Sequence, residues 1–164
     1  MKTFKEFINE SSLSRIKSKS DKKGIAVMSA SRADKSAKEN KERAKQLDKD
    51  IRGKFKRGAT KVTGSYSEKD EKTGKETKVK ERSHVIDSGK MGKRKFKKEV
   101  KKLGKKYGQD SVLTSGKKGG TLSATRKGGL GKKKGIGVGR FKPQGTNPDG
   151  QSQIKGKTFS FNKD

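Results

Sequence analysis

Forty-seven lysines and arginines against eighteen acids give this chain a formal charge of +29 over 164 residues. A compact state at that charge repels itself, and hydrophobic residues make up only 24% of the sequence to oppose it. That balance leans towards disorder. Any core is therefore small, and the regularly spaced apolar positions show where it lies. The seven Phe and two Tyr, with no Trp, can fill a small core but not a large one. The length suits one modest domain plus tails.

Two segments carry helical spacing. In the first, Ser36 and Glu39 fit a capping box, in which each side chain satisfies a backbone donor at the helix start. Ala37, Ala44, Leu47 and Ile51 then share a stripe, and Gly53 is the expected stop. In the second, Phe96, Val100, Leu103 and Tyr107 fall at i, i+4, i+7 and i+11, with bases at almost every other position from Lys93 to Lys106. Gly104 or Gly108 ends it.

Strand signals surround these helices. Ile25 to Ala30 is a short apolar run. Thr60 to Tyr66 and Thr77 to Ile86 read as a hairpin around the turn-like Asp70 to Gly74, and Ser111 to Thr114 and Thr121 to Thr125 as another. Further on, Ile136, Val138 and Phe141, and then Thr158 to Phe161, predict two weaker strands. The expected fold is α+β, two helices packed on a mainly antiparallel sheet in the order β-α-β-β-α-β-β. Its expected organisation is an N-terminal peptide and linker over 1–23, the α+β domain over 24–126, and a Gly- and Lys-rich region over 127–164 that adds one or two strands. Within the first part, Ser18 to Lys23 reads as linker.

The motifs exclude more chemistry than they supply. There is no Cys, hence no disulfide framework, thiolate nucleophile or zinc ribbon. His84 is the only imidazole, and its expected role is a half-exposed structural one. The Gly135-Ile136-Gly137-Val138-Gly139 run lacks dinucleotide-loop spacing, and Gly156-Lys157-Thr158 lacks the first glycine of a phosphate loop. Asp48, Asp50, Glu68, Asp70 and Glu71 lie among lysines, where ion pairing is the ordinary explanation. No apolar run reaches membrane-spanning length. The sequence therefore predicts no enzyme, no metal, no cofactor and no membrane partner.

The charge points instead to nucleic acid, since phosphate contacts release condensed counterions. The expected contacts are sequence-tolerant. They come from Lys93, Arg94, Lys97, Lys98, Lys101, Lys102, Lys105 and Lys106 on the second helix, from Lys117 and Lys118, and from Lys132, Lys133, Lys134 and Arg140. Tyr66, Tyr107 and Phe141 could stack on bases, but core packing is the expected use of each.

Two stretches bear resemblances. Met1-Lys2-Thr3-Phe4-Lys5-Glu6-Phe7-Ile8-Asn9-Glu10 resembles the capsid-targeting peptide of internal head proteins in T-even-like tailed phages. The maturation protease of that family cuts after Glu with an aliphatic residue two positions earlier. Ile8, Glu10 and Ser11 fit that cleavage pattern. Separately, Glu39-Asn40, Arg43, Leu47, Val62 to Gly64, Ser83-His84-Val85-Ile86 and Tyr107 to Val112 resemble an uncharacterised bacterial and phage domain family. The first resemblance implies a virion-internal, DNA-associated protein, with residues 1–10 engaging capsid or scaffold. The alternative is an intracellular RNA- or ribosome-associated module made during infection. The implied location is the virion interior or the host cytoplasm.

Overall fold

In the computed structural model of the chain, the capping box at Ser36 forms as predicted. The Ser36 hydroxyl accepts from the Glu39 amide and the Glu39 carboxylate from the Ser36 amide, each at 3.1 Å. The structure describes residues 14–69, 72–125, 135–143, 151–154 and 157–162. Helix α1 spans 14–22. Strand β1 (Ile25–Ser29) leads to α2 (Ala37–Phe55), the hairpin β2 (Thr60–Lys69) and β3 (Glu76–Asp87), α3 (Lys93–Lys106), and the hairpin β4 (Ser111–Gly116) and β5 (Gly119–Ala124). Then come β6 (Ile136–Pro143), β7 (Gln151–Ile154) and β8 (Lys157–Asn162).

This is the expected α+β arrangement of helices on an antiparallel sheet, but the sheet is closed. Its order is β1-β3-β2-β7-β8-β6-β5-β4, and β4 pairs back onto β1. The C-terminal region supplies three strands where one or two were predicted. The short β7 was missed because Gln151 to Ile154 carries a single apolar residue. It is nonetheless the piece that joins β2 to β8.

Alternation along the strands divides the apolar residues between two cores. On the outer face, Ala26, Met28, Ile86 and Val112 meet Leu47, Ile51 and Phe55 of α2 and Phe96, Val100 and Leu103 of α3. On the inner face, Ile25, Val62, Val85, Phe141, Phe159 and Phe161 fill the barrel together with Ile16 of α1. Helix α2 runs through Gly53 to Phe55. The extra turn seats Phe55 edge-on to Phe96, with ring centroids 5.5 Å apart. Lys56, in the left-handed region at φ 58°, then ends the helix. Gly108, at φ 68°, is the residue that turns the chain after α3. Gly104 is instead buried inside that helix, where a Cβ would come within 2.6 Å of Val112.

Residues 18–22, read from the sequence as linker, continue α1. Ile16 is buried, and Ser20 Oγ lies 2.9 Å from Ser115 Oγ in a buried contact. The helix covers the end of the barrel where β1 begins and β3 ends. Asp87 fastens it there, taking Lys19 at 3.4 Å, Arg57 at 2.8 Å and the Gly89 amide at 2.8 Å. Burial alone would raise the Asp87 carboxyl. The Gly89 amide and the two cations outweigh it and hold the group below its ordinary value.

The two faces of α3 predict opposite mutational outcomes. Leu103 is 3% exposed, so Leu103→Ala leaves a cavity and is expected to cost about 2–5 kcal/mol. That is a large part of the stability of a domain this size. Lys98 is exposed, and Lys98→Glu is expected to leave stability unchanged or raise it slightly by relieving repulsion. Urea unfolding of both variants checks the pair.

Candidate functional site

The barrel end opposite α1 is open. A cavity of about 950 Å³ lies in its mouth, within the size range of small-molecule sites. Antiparallel register brings the wall together. Ser29 of β1 stands beside Ser83 of β3, which stands beside Val62 of β2, and Glu81 stands beside Gly64. Because side chains alternate, these residues share the inner face with Val27 and Val85.

The rim is tied down by arginines from the β1–α2 connection and α2. Arg43 Nε donates to the Ala30 carbonyl at 2.7 Å, and its Nη2 donates to the Tyr107 carbonyl. Arg32 Nη1 donates to the Gly108 carbonyl at 2.8 Å and its Nε pairs with Asp34 at 2.8 Å. That guanidinium holds the Asp34 carboxyl below its usual value against the opposing effect of desolvation. Gln109 Nε2 adds a bond to the Ser31 carbonyl at 3.0 Å. Carbonyls at the end of α3 are thus satisfied by Arg32 of the β1–α2 connection and Arg43 of α2, which ties these adjacent parts of the rim together.

Among the described residues, the charged ones lining the mouth are Arg32, Asp34, Glu81 and Asp110. Three acids to one base in this described lining is the reverse of the chain's composition. Sequence reading missed these residues. Glu81 and Ser83 do alternate with Arg82 and His84, which marks a strand. Nothing in the sequence says which of the two faces turns inward.

The predicted phosphate-contacting residues lie elsewhere. Lys93, Arg94, Lys98, Lys102, Lys105 and Lys106 are exposed on α3, and Lys97 and Lys101 are half-buried on the same helix. Lys102 pairs with Glu99 and Lys106 with Asp50. Lys117 and Lys118 make the β4–β5 turn, and Arg140 is exposed on β6. None of these lines the mouth. Lys132, Lys133 and Lys134, and the residues Ile8, Glu10 and Ser11, lie outside the described residues, as does Asp70 in the predicted turn. Tyr107 and Phe141 are buried in the two cores. Burial and the hydrogen bond to Asp50 push the Tyr107 phenol well above its ordinary value.

His84 is fully buried rather than half-exposed. It points out of the barrel towards α2, between the inward Ser83 and Val85, so it takes no part in the mouth. Both its ring nitrogens, and Oδ1 of Asp48 on the facing helix, are buried without a hydrogen-bond partner. Burial lowers the imidazole below its ordinary value. Asp48 opposes that shift, and Lys61 and Arg82 add to it.

A neutral buried imidazole makes stability depend on pH. The unfolded chain takes up a proton near pH 6.5 while the folded chain does not, so the stability present above that pH is lost as the pH falls towards the folded value. His84→Leu is expected to remove this decline between pH 7 and about 5.5. It should cost little at pH 7.5, because it also removes two unsatisfied polar atoms. Unfolding midpoints at the two pH values test this, and an unchanged acid decline in the variant would assign it to another group.

Comparison with known proteins bears on the chemistry of the mouth. No curated protein sequence matches the chain significantly. A family model described as the S-Adenosylmethionine lyase family matches residues 26–164, which takes in α2, α3 and all the described strands except the first residue of β1. This finding corrects the resemblance to phage internal head proteins, which rested on ten residues outside the match. It also overturns the virion-internal, DNA-associated function drawn from that resemblance, and the expectation that the chain is not an enzyme. With all but its first 25 residues matched, the chain belongs to the S-adenosylmethionine lyase family.

Proposed function

We propose that this chain binds S-adenosylmethionine in the barrel mouth and cleaves it as a lyase. Besides the family, the observation that carries this reading is the sign of the charge at the mouth. The substrate bears a permanent sulfonium cation and an ammonium against a single carboxylate. A chain of charge +29 repels such a molecule over most of its surface, while Asp34, Glu81 and Asp110 attract it at the cavity. Arg32 is the one base among the described lining residues, already engaged with Asp34 and the Gly108 carbonyl, and it is the candidate partner for the carboxylate.

The chemistry sets a condition on where the acids act. Whichever carbon–sulfur bond breaks, sulfur keeps the bonding pair and the sulfonium becomes a neutral thioether, while the carbon it leaves either bonds to the substrate's own carboxylate or loses a neighbouring proton to form an alkene. A carboxylate held against sulfur would stabilise the reactant more than the transition state and slow that step. An acid that grips the ammonium, with an apolar wall around sulfur, binds the substrate without that penalty. Poor solvation of the sulfonium at such a wall favours the charge-losing step. The mouth offers both kinds of surface.

The test is incubation of the purified chain with S-adenosylmethionine, followed by mass spectrometry of the products. A neutral adenosyl thioether is expected without any methyl acceptor being consumed. Intact substrate, or S-adenosylhomocysteine as the product, would overturn the reading. Loss of a charge-assisted contact costs roughly 1.5–3 kcal/mol, so Glu81→Gln is expected to lower kcat/KM by about ten- to a hundredfold. Salt supplies a second check. Moderate ionic strength screens the distant basic surface more than the acids that the substrate meets at short range, so the association rate of the cationic substrate is expected to rise between low and physiological salt, the reverse of ordinary electrostatic steering.

A further inference from the structure

The lining of the mouth is divided lengthwise along the barrel. Around the ring, β1, β3, β2 and β7 are consecutive, and so are β8, β6, β5 and β4. The first four strands contribute Ser29, Glu81, Ser83 and Ser152, with Gly64 opening the space before them. A Cβ on Gly64 would lie 2.9 Å from Ser83 Oγ and 3.8 Å from Glu81 Cγ. The second four contribute Leu113, Leu122, Val138, Phe159 and Phe161. These converge on Gly120 of β5, where a Cβ would meet Val138 at 2.9 Å, Phe161 at 3.2 Å and Leu113 at 3.4 Å. The residues that break the pattern lie where the halves join: Val27, Met28 and Ser111 at the β1–β4 seam, and Ser160 beside the β7–β8 seam.

A surface divided in this way orients an amphipathic ligand. Resting on the reading that S-adenosylmethionine is the ligand, we infer that the mouth binds it in one direction. The purine ring lies against the apolar half formed by β4, β5, β6 and β8, and the aminoacyl end lies against the half that carries Glu81. The apolar half is then a nucleobase subsite, where a flat aromatic ring replaces water on Leu122, Val138 and Phe161. The polar half is a subsite for an ammonium, where a carboxylate partly shielded from solvent attracts a cation more strongly than it does in bulk water. The opposite orientation would set a cation against five apolar side chains and a purine face against serines and a carboxylate, losing both contacts.

The experiment separates the two ends of the ligand in the full chain. Three probes are titrated calorimetrically: an uncleavable S-adenosylmethionine analogue with an amine-bearing carbon in place of sulfur, the neutral nucleoside methylthioadenosine, and S-methylmethionine, which has the aminoacyl sulfonium but no base. Glu81→Gln is expected to weaken the analogue and S-methylmethionine at least tenfold and to leave methylthioadenosine within about twofold. Leu122→Ser is expected to do the converse, weakening the analogue and methylthioadenosine while sparing S-methylmethionine. Val138→Ser serves the same purpose should the Leu122 variant melt early. Equal losses for all three probes in each variant, or the two patterns exchanged, would overturn the orientation while leaving the lyase reading intact. Failure of the wild-type chain to bind the analogue or S-adenosylmethionine itself would overturn both.

Discussion

Closure of the barrel by its last three strands is the constraint on which the rest of the structure depends. Strands β1, β3 and β4 each bury apolar side chains on both faces, and the outer faces are covered by α2 and α3. The inner faces have no partner until β6, β7 and β8 arrive. Phe141 then stacks on Phe159 with centroids 5.1 Å apart, and meets Phe161 edge-on at 5.7 Å. Without these strands β2 and β5 would be open edges, a hazard for aggregation, and Ile25, Val62 and Val85 would face water. The mouth would also not exist, because half of its wall comes from the same three strands and their neighbours.

A chain with so few apolar residues cannot afford one thick core, and a closed sheet avoids the need for one. Each strand residue is used on one side or the other, so two thin cores share one wall. The acids serve the joints. Asp87 binds α1 and the α2–β2 connection to the end of β3. Asp50 of α2 receives both Lys106 and the Tyr107 hydroxyl at the end of α3, and Glu99 of α3 receives Lys54 of α2. Pairs whose cation stays at the surface are individually weak. Their value here is that they place scarce negative charge where two basic helices approach one another, and so reduce the repulsion that would otherwise separate them.

What could be read from the sequence followed local periodicity. Helix α3 was legible because four apolar residues stand alone among lysines, and α2 because Ser36 and Glu39 mark its start. The β4–β5 hairpin was legible from its Gly- and Lys-rich turn. Gly53 misled because a glycine that could end a helix was overridden by the packing of Phe55 on Phe96, a contact between residues far apart in sequence. His84 misled for the same kind of reason. Its charged strand, with Arg82 close by, suggested a wet position, whereas the face it occupies is covered by α2. Strand β7 carried too little apolar character to be read locally, and its pairing between β2 and β8 is set by closure.

The mouth was illegible for a further reason, which concerns charge. Composition is a sum over the whole chain, and a sum of +29 points to an anionic partner. A ligand responds to the potential in the cavity it enters, and nearby groups inside a poorly screened cavity dominate that potential. Asp34, Glu81 and Asp110 come from a loop, a strand and a helix-to-strand turn separated by up to 76 residues along the chain. Only the barrel register gathers them on one rim, where Arg32 is the basic residue among the described lining. The inference of a DNA-associated function, which the family match overturns, had treated the protein as a uniform polycation. Once the sheet closes, the lysines of α2, α3 and the β4–β5 turn stand outside the barrel, and the described charges at its mouth are mostly acids.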